Sequence, residues 1–412
     1  MKRGAFAVAF LCSLAVVIVV LNVVALRAVV FLALWKPPTQ PGRNQDKCPP
    51  GGSRLAKDEY SDSGIVTVIR LTDDGEFADR CELTEAIYEI RNPPDPELIV
   101  WYVHGWKHNA QKNDSDLRHF KELIATLNKK QLRLDEGNRR HVVGVYVGWD
   151  GAVGPSFLQD LTFWNRKRAA DRISQSSVLI KIIAATKYAR QQMGDLAARD
   201  LTIMIGHSFG ARILYAATSQ VLIDQVQRRH PGFAKDSYGV IEGPADLILL
   251  LNPAFEASMF TAMDSIRRPD YDLWEGFDPG QAPLLLVLAS ENDWATRMAF
   301  PLGQRLELAQ MARQCTTLGN YRDYITHNLE QVESGYAPPK ENHFWYDHFE
   351  AQGLRLRRTT DYGHPGNPFI VARTTKDIIN GHNKIWGKKL RKWIVSFLWT
   401  LQQRRSTPLE RQ

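Results

Sequence analysis

The feature that most constrains this chain is a serine with a glycine two residues to either side, Gly206-His207-Ser208-Phe209-Gly210. An apolar run over 201–205 leads into it and a helical pattern over 209–227 leads out. A serine at such a strand-to-helix corner takes a strained backbone conformation. Gly206 and Gly210 remove the side chains that would collide with the turn. The corner lifts the Ser208 hydroxyl clear of a sheet. It also sets backbone N–H groups at the start of the next helix, where the positive end of the dipole favours a developing oxyanion.

The rest of the chain supplies the sheet this corner needs. Short β-branched or apolar runs at 65–71, 98–103, 142–147, 201–205, 247–251, 284–288 and 369–372 alternate with helical patterns at 115–129, 163–193, 209–227 and 384–402. Several runs are apolar at every position, as strands buried on both faces of a parallel sheet should be. The expected class is α/β, a mostly parallel sheet flanked by helices. Two insertions interrupt the rhythm, at about 253–282 and about 295–367. The second is long enough to form a lid or cap over a site. A hydrophobic fraction of 44% with 24% charged residues excludes intrinsic disorder as the dominant state.

Further motifs carry a resemblance. Val103-His-Gly-Trp-Lys-His-Asn-Ala110 follows an early strand, Val147-Gly-Trp-Asp150 follows the next, and the Ser208 corner, Leu251-Asn-Pro-Ala254, Asp293 and His382 come after in order. In these pieces the chain resembles the α/β-hydrolase superfamily, and within it uncharacterised bacterial esterase/lipase-like serine hydrolases with a His-Gly-Trp or His-Gly-Tyr segment. The resemblance covers about 64–402 and implies an α/β-hydrolase fold with a nucleophilic serine.

A serine hydroxyl needs a base, usually a histidine oriented by a carboxylate. The resemblance implies the chain order nucleophile, acid, histidine. The acid is expected after the second strand beyond the corner, where 284–288 runs into Ala289-Ser-Glu-Asn-Asp-Trp294. Asp293 is the choice, and Glu291 competes if the strand ends slightly earlier. The base is expected between the last strand and the last helix. His382, after Gly381, stands there; His364 fits only if the last strand lies earlier. The oxyanion hole would take the backbone N–H groups of Phe209 and of Trp106, with Gly105 allowing close approach of the loop. His104, His108 and Asn109 read as residues that shape this loop by hydrogen bonding, and Trp149 as an aromatic finishing a strand or walling a pocket.

Ahead of the domain, the run 5–26 follows Lys2 and Arg3 and has no charge. As a helix it would span roughly 30 Å, the hydrocarbon thickness of a bilayer. It reads as an uncleaved single-pass anchor within 1–36, followed by a tether over 37–63 rich in Pro, Gly, Asn and Asp. The domain would then occupy 64–403 and a tail 404–412. Lys36, Arg43 and Lys47 balance Lys2 and Arg3, so orientation is weakly determined, with an exported domain preferred.

The net charge of +7 is concentrated from His382 onward, where eight bases meet one acid. A basic end of one helix is no phosphate-lined groove, so nucleic acid is not an expected partner. Lys384, Lys388 and Lys392 are spaced to share a helical face toward anionic head groups. Four cysteines without metal-site spacing imply no metal, and no phosphate-cradling glycine loop implies a cofactor. Cys48 and Cys81 would bridge in an exported domain or stay reduced otherwise. The expected function is membrane-anchored hydrolysis of an ester-type bond in an ester or lipid-like small molecule, with thioester or peptide substrates open. The rival from another class is a catalytically weak α/β-hydrolase serving as a tethered binding or scaffold module.

Overall fold

The computed structural model describes residues 48, 64–91, 95–152, 162–194, 198–229, 240–267, 277–278, 281–301, 304, 311–332, 348–359 and 366–406. The strands are β1 (Ile65–Arg70), β2 (Glu97–Val103), β3 (His141–Gly148), β4 (Leu201–His207), β5 (Leu247–Leu251), β6 (Leu285–Ser290), β7 (His327–Gln331), β8 (His348–Ala351), β9 (Leu354–Arg358) and β10 (Phe369–Thr374). The helices are α1 (Arg80–Arg91), α2 (Ser115–Gln131), α3 (Phe163–Gln175), α4 (Val178–Gln191), α5 (Phe209–Arg229), α6 (Thr261–Arg267), α7 (Ala312–Cys315) and α8 (Lys388–Ser406).

One sheet carries all ten strands in the order β1-β3-β2-β4-β5-β6-β10-β7-β9-β8. Pairing is parallel from β1 to β7, and antiparallel only where β9 joins β7 and β8. This mixed α/β arrangement fits the α/β-hydrolase fold. The central strand β2 is buried at every residue. Its alternation divides the core, since successive side chains point to opposite faces. Ile99, Trp101 and Val103 pack with α3, α4 and α5, whereas Leu98, Val100 and Tyr102 pack with α2 and α8.

Two local departures from the expected helices appear. The helical pattern at 163–193 is two helices, because Ser176 takes an extended backbone and its hydroxyl bonds the Ile173 carbonyl and accepts from Val178 N–H. The last helix starts at Lys388, so Lys384 precedes it and the expected three-lysine helical face does not exist. The loop before that helix is held instead by Trp386, whose indole N–H bonds the buried Asp116; Asp116 also accepts from Tyr102 Oη at 2.6 Å.

The insertion expected to be a lid or cap is, in its described parts, largely a sheet extension. β7, β9 and β8 continue the sheet beyond β10, and 311–326 packs by the ends of β5 and β6. There Leu318 N–H bonds Phe255 O, and Ala257 N–H bonds Thr316 O. The anchor lies outside the described residues, as does the tether apart from Cys48. No helix among the described residues is long and apolar enough to cross a membrane. Cys48 is bonded to Cys81 at the start of α1.

Candidate active site

The corner at Ser208 is built as steric necessity requires. Ser208 has φ of +56°, in the left-handed region. A Cβ at Gly206 would stand 2.7 Å from Ala211 Cα. One at Gly210 would stand 2.1 Å from the Val103 carbonyl oxygen at the end of β2. α5 can cross β2 at that height only without a side chain at 210. Gly105 meets the corner from the other side, where a Cβ would stand 2.7 Å from Ser208 Cβ.

Three loops at the carboxyl edge of the sheet then converge. His382 Nε2 lies 2.6 Å from Ser208 Oγ, and its Nδ1 lies 2.7 Å from Asp293 Oδ2. Asp293 follows β6 by three residues, and its other carboxylate oxygen accepts from Thr296 N–H at 3.2 Å. Asp293 has no exposed surface. Burial alone would raise its pKa, but the His382 imidazole and the Thr296 hydrogen bonds hold it below the usual carboxylate value. Glu291, the competitor, is exposed and its carbonyl bonds Arg297. The 2.7 Å partner of His382 is Asp293, not Glu291. His364 lies outside the described residues.

The loop after β2 is fixed by the buried, neutral His104 and by the Asp114 carboxylate. His104 donates from Nδ1 to the Gly105 carbonyl at 2.8 Å and accepts Trp149 N–H on Nε2 at 2.9 Å. Burial first, then His108, pushes its pKa down to about 4. Trp149 returns a bond from its indole to the His104 carbonyl, so this buried aromatic ends its strand as part of the loop's scaffold. His108 bonds Asp114 at 2.9 Å, and Asn109 N–H bonds the same carboxylate. The Trp106 ring packs edge-on against Phe163, which in turn touches Phe209. Phe209 opens α5, so its N–H has no partner within the helix.

Two polar residues not singled out in the sequence also enter the site. His207 Nε2 stands 3.0 Å from the His382 carbonyl oxygen. Asn252 Nδ2 stands 2.8 Å from the same oxygen and 3.1 Å from that of Gly381. The Leu251-Asn-Pro-Ala254 segment was the available signal for Asn252. One turn beyond Ser208, Arg212 and Lys167 pair with Glu256 and Asp171, joining α5, α3 and the chain after β5. A cavity of about 540 Å³ lies at the opposite edge of the sheet, lined by Trp101, Arg190, Asp200, Met204 and Ile241 among others, and includes neither Ser208 nor His382.

No family model matches the chain, and no curated protein sequence does. Among solved structures it is similar to TT1662 from Thermus thermophilus, at 11% identity over 76% of this chain and 91% of that one, with a TM-score of 0.30. It is also similar to phospholipase PlaB from Legionella pneumophila, at 13% identity, a TM-score of 0.27, and coverage of 75% of this chain and 63% of that one. An uncharacterized protein from Pseudomonas aeruginosa is similar at 12% identity, with a TM-score of 0.28 and coverage of 79% of this chain and 50% of that one. Likeness at this level carries no argument about chemistry, which rests on the geometry alone.

Proposed function

We propose that this chain is a serine hydrolase that cleaves an ester-type bond while tethered to a membrane. The observation that carries the reading is the unbroken chain Ser208 Oγ–His382–Asp293, with links of 2.6 and 2.7 Å. In this reading Ser208 attacks the substrate carbonyl as His382 Nε2 takes its proton. The resulting imidazolium then protonates the leaving alcohol, leaving an acyl-enzyme. A water, deprotonated by His382, releases the acid and restores Ser208. Asp293 keeps the proton on Nδ1 and stabilises the imidazolium. The N–H groups of Phe209 and Trp106 would receive the oxyanion, the first lying at the head of α5 and the second in the loop pressed against Ser208 by Gly105.

Anchoring rests on the 5–26 run, and an exported domain is favoured by the Cys48–Cys81 disulfide, since such bonds persist in oxidising compartments. The test is hydrolysis of short- and medium-chain p-nitrophenyl esters by the full chain and by Ser208→Ala. Turnover lost in the variant supports the reading, and equal turnover in both sinks it.

A second reading, a catalytically silent tethered module, is favoured by one observation: Ser208 has no exposed surface. Labelling of the folded protein by a fluorophosphonate at Ser208 excludes silence, and its persistent absence favours the module.

A further inference from the structure

The hydrogen bonds around the Leu251–Ala254 segment form a hub that the three-residue chain alone does not explain. Ser208 is held to it on both sides: its N–H donates to Leu251 O at 3.1 Å, and its carbonyl accepts Ala254 N–H at 3.1 Å. The backbone of Asn252 donates to Leu288 O on β6 at 2.9 Å. Its side-chain oxygen accepts Ser290 N–H at 2.9 Å, at the end of β6 from which the Asp293 turn departs. Its side-chain nitrogen donates to Gly381 O and His382 O. One buried amide thus touches the strand end bearing the acid and the loop bearing the base, while its chain neighbours hold the serine.

The His382 carbonyl takes a second donor from His207, the neighbour of Ser208. A carbonyl only accepts, so His207 must carry a proton on Nε2. Burial first, and the nearby His382 second, drive its pKa down to about 3, so the ring is neutral with that proton on Nε2. A neutral donor here steadies His382 without adding a positive charge beside the imidazolium that catalysis requires.

We infer that Asn252 and His207 are positioning residues, which fix the backbone of His382 so that its imidazole reaches Ser208 and Asp293 together. Asn252 suits the place for a further reason. Its φ is +43°, which asparagine tolerates better than most residues, and its side chain supplies a donor and an acceptor at once. The inference rests on the hydrolase reading, but its test does not depend on turnover alone.

Asn252→Asp keeps the shape and the acceptor for Ser290 while removing both donors. Asn252→Gly removes the side chain and accepts the positive φ, so at least one variant should fold. Two quantities are read on the full chain. One is kcat per site titrated by fluorophosphonate, with p-nitrophenyl butyrate as substrate; the other is the low-field proton resonance of the His382 Nδ1–H shared with Asp293. The expected result is a loss of about 10- to 100-fold in kcat per site with KM within about twofold, because an ångström of misplacement costs rate of that order. The resonance should shift or vanish in both variants. A merely structural role would lower thermal stability and the number of titratable sites but leave both quantities unchanged in the folded fraction, and that result overturns the inference. If the wild type neither turns over nor labels, the hydrolase reading fails. The resonance still decides positioning then: retention in Asn252→Gly, or absence from the wild type, refutes it.

Discussion

At the scale of single residues, the acid of the site offers the sharpest discrimination. Under the hydrolase reading Asp293→Asn should lower kcat on a p-nitrophenyl ester by about 10³- to 10⁴-fold, since the amide favours the wrong imidazole tautomer. Glu291→Gln, two residues away and exposed, should leave kcat within about twofold. The reverse outcome would reassign the acid. The placing of Ser208, Asp293 and His382 was legible because each follows a strand that the sequence marks by apolar residues. Both His207 and Asn252 lie in motifs the sequence shows, but their roles were not legible, because their bonds run to a backbone carbonyl 175 and 130 residues away. Buried titratable groups add opposed pH dependences. His207 and His104, with pKa values near 3 and 4 against an ordinary 6.5, hold stability that is complete above pH 6.5 and is lost as pH falls toward those values. Glu97 acts the other way. Burial raises it to about 7 from 4.5, despite Arg190 and His141 and with Asp200 adding to the rise. Stability is therefore lost as pH climbs from 4.5 through 7. Glu97→Gln should raise the melting temperature at pH 8, by the equivalent of at most about 3 kcal/mol, and make little difference near pH 4.5. Equal effects at both pH values would show that ionisation of Glu97 is not the cause.

At the scale of elements, legibility followed burial. Six of the seven strands read from the sequence, β2 to β6 and β10, are buried on both faces along much of their length, so their side chains form runs that no helix period explains, whereas the edge strand β1 buries only Thr67 and Ile69 and was legible from its β-branched residues. β7, β9 and β8 were missed because they are short, of four or five residues, and only partly buried, so none forms a continuous apolar run. In β9 only Leu354 and Leu356 are buried, and Arg355 and Arg357 pair with Glu350 and Glu330 across the ladder. The outermost strand is β8, and its Glu350 puts a charge on the sheet edge of the kind that discourages edge-to-edge association. α8 was legible from its stripe of Leu390, Trp393, Phe397 and Leu401, all buried against the β2 face that carries Tyr102. Trp393 stacks on Phe397 and meets Phe349 of β8 edge-on, so it fastens the helix to the sheet extension. Trp393→Ala should cost about 3–5 kcal/mol in denaturant unfolding, as other large buried aromatics do. A loss below about 1 kcal/mol would show that the helix is held chiefly elsewhere.

At the scale of the whole molecule, the proposed membrane tether raises the question of which side of a membrane the domain would occupy. The flanking charges of the 5–26 run left orientation weakly determined, and that run lies outside the described residues. The disulfide is the independent observation. It joins Cys48 to Cys81 at a sequence separation of 33, tying the tether side of the domain to α1. Closing a loop of that length restricts the unfolded chain by about 3–4 kcal/mol on the chain-entropy account. Reduction should therefore lower the melting temperature by several degrees, and Cys81→Ser should reproduce the loss. Bonds of this kind are lost in a cytosol held reducing, so export makes a definite expectation. In intact cells, a membrane-impermeant maleimide should label Cys48 and Cys81 only after an impermeant reductant has been applied. Cys315 is buried and should stay unlabelled in the folded domain. Labelling that requires permeabilised cells but no reductant would place the domain on the cytoplasmic side with free thiols, and the stability contribution of the disulfide would then be absent where the protein works.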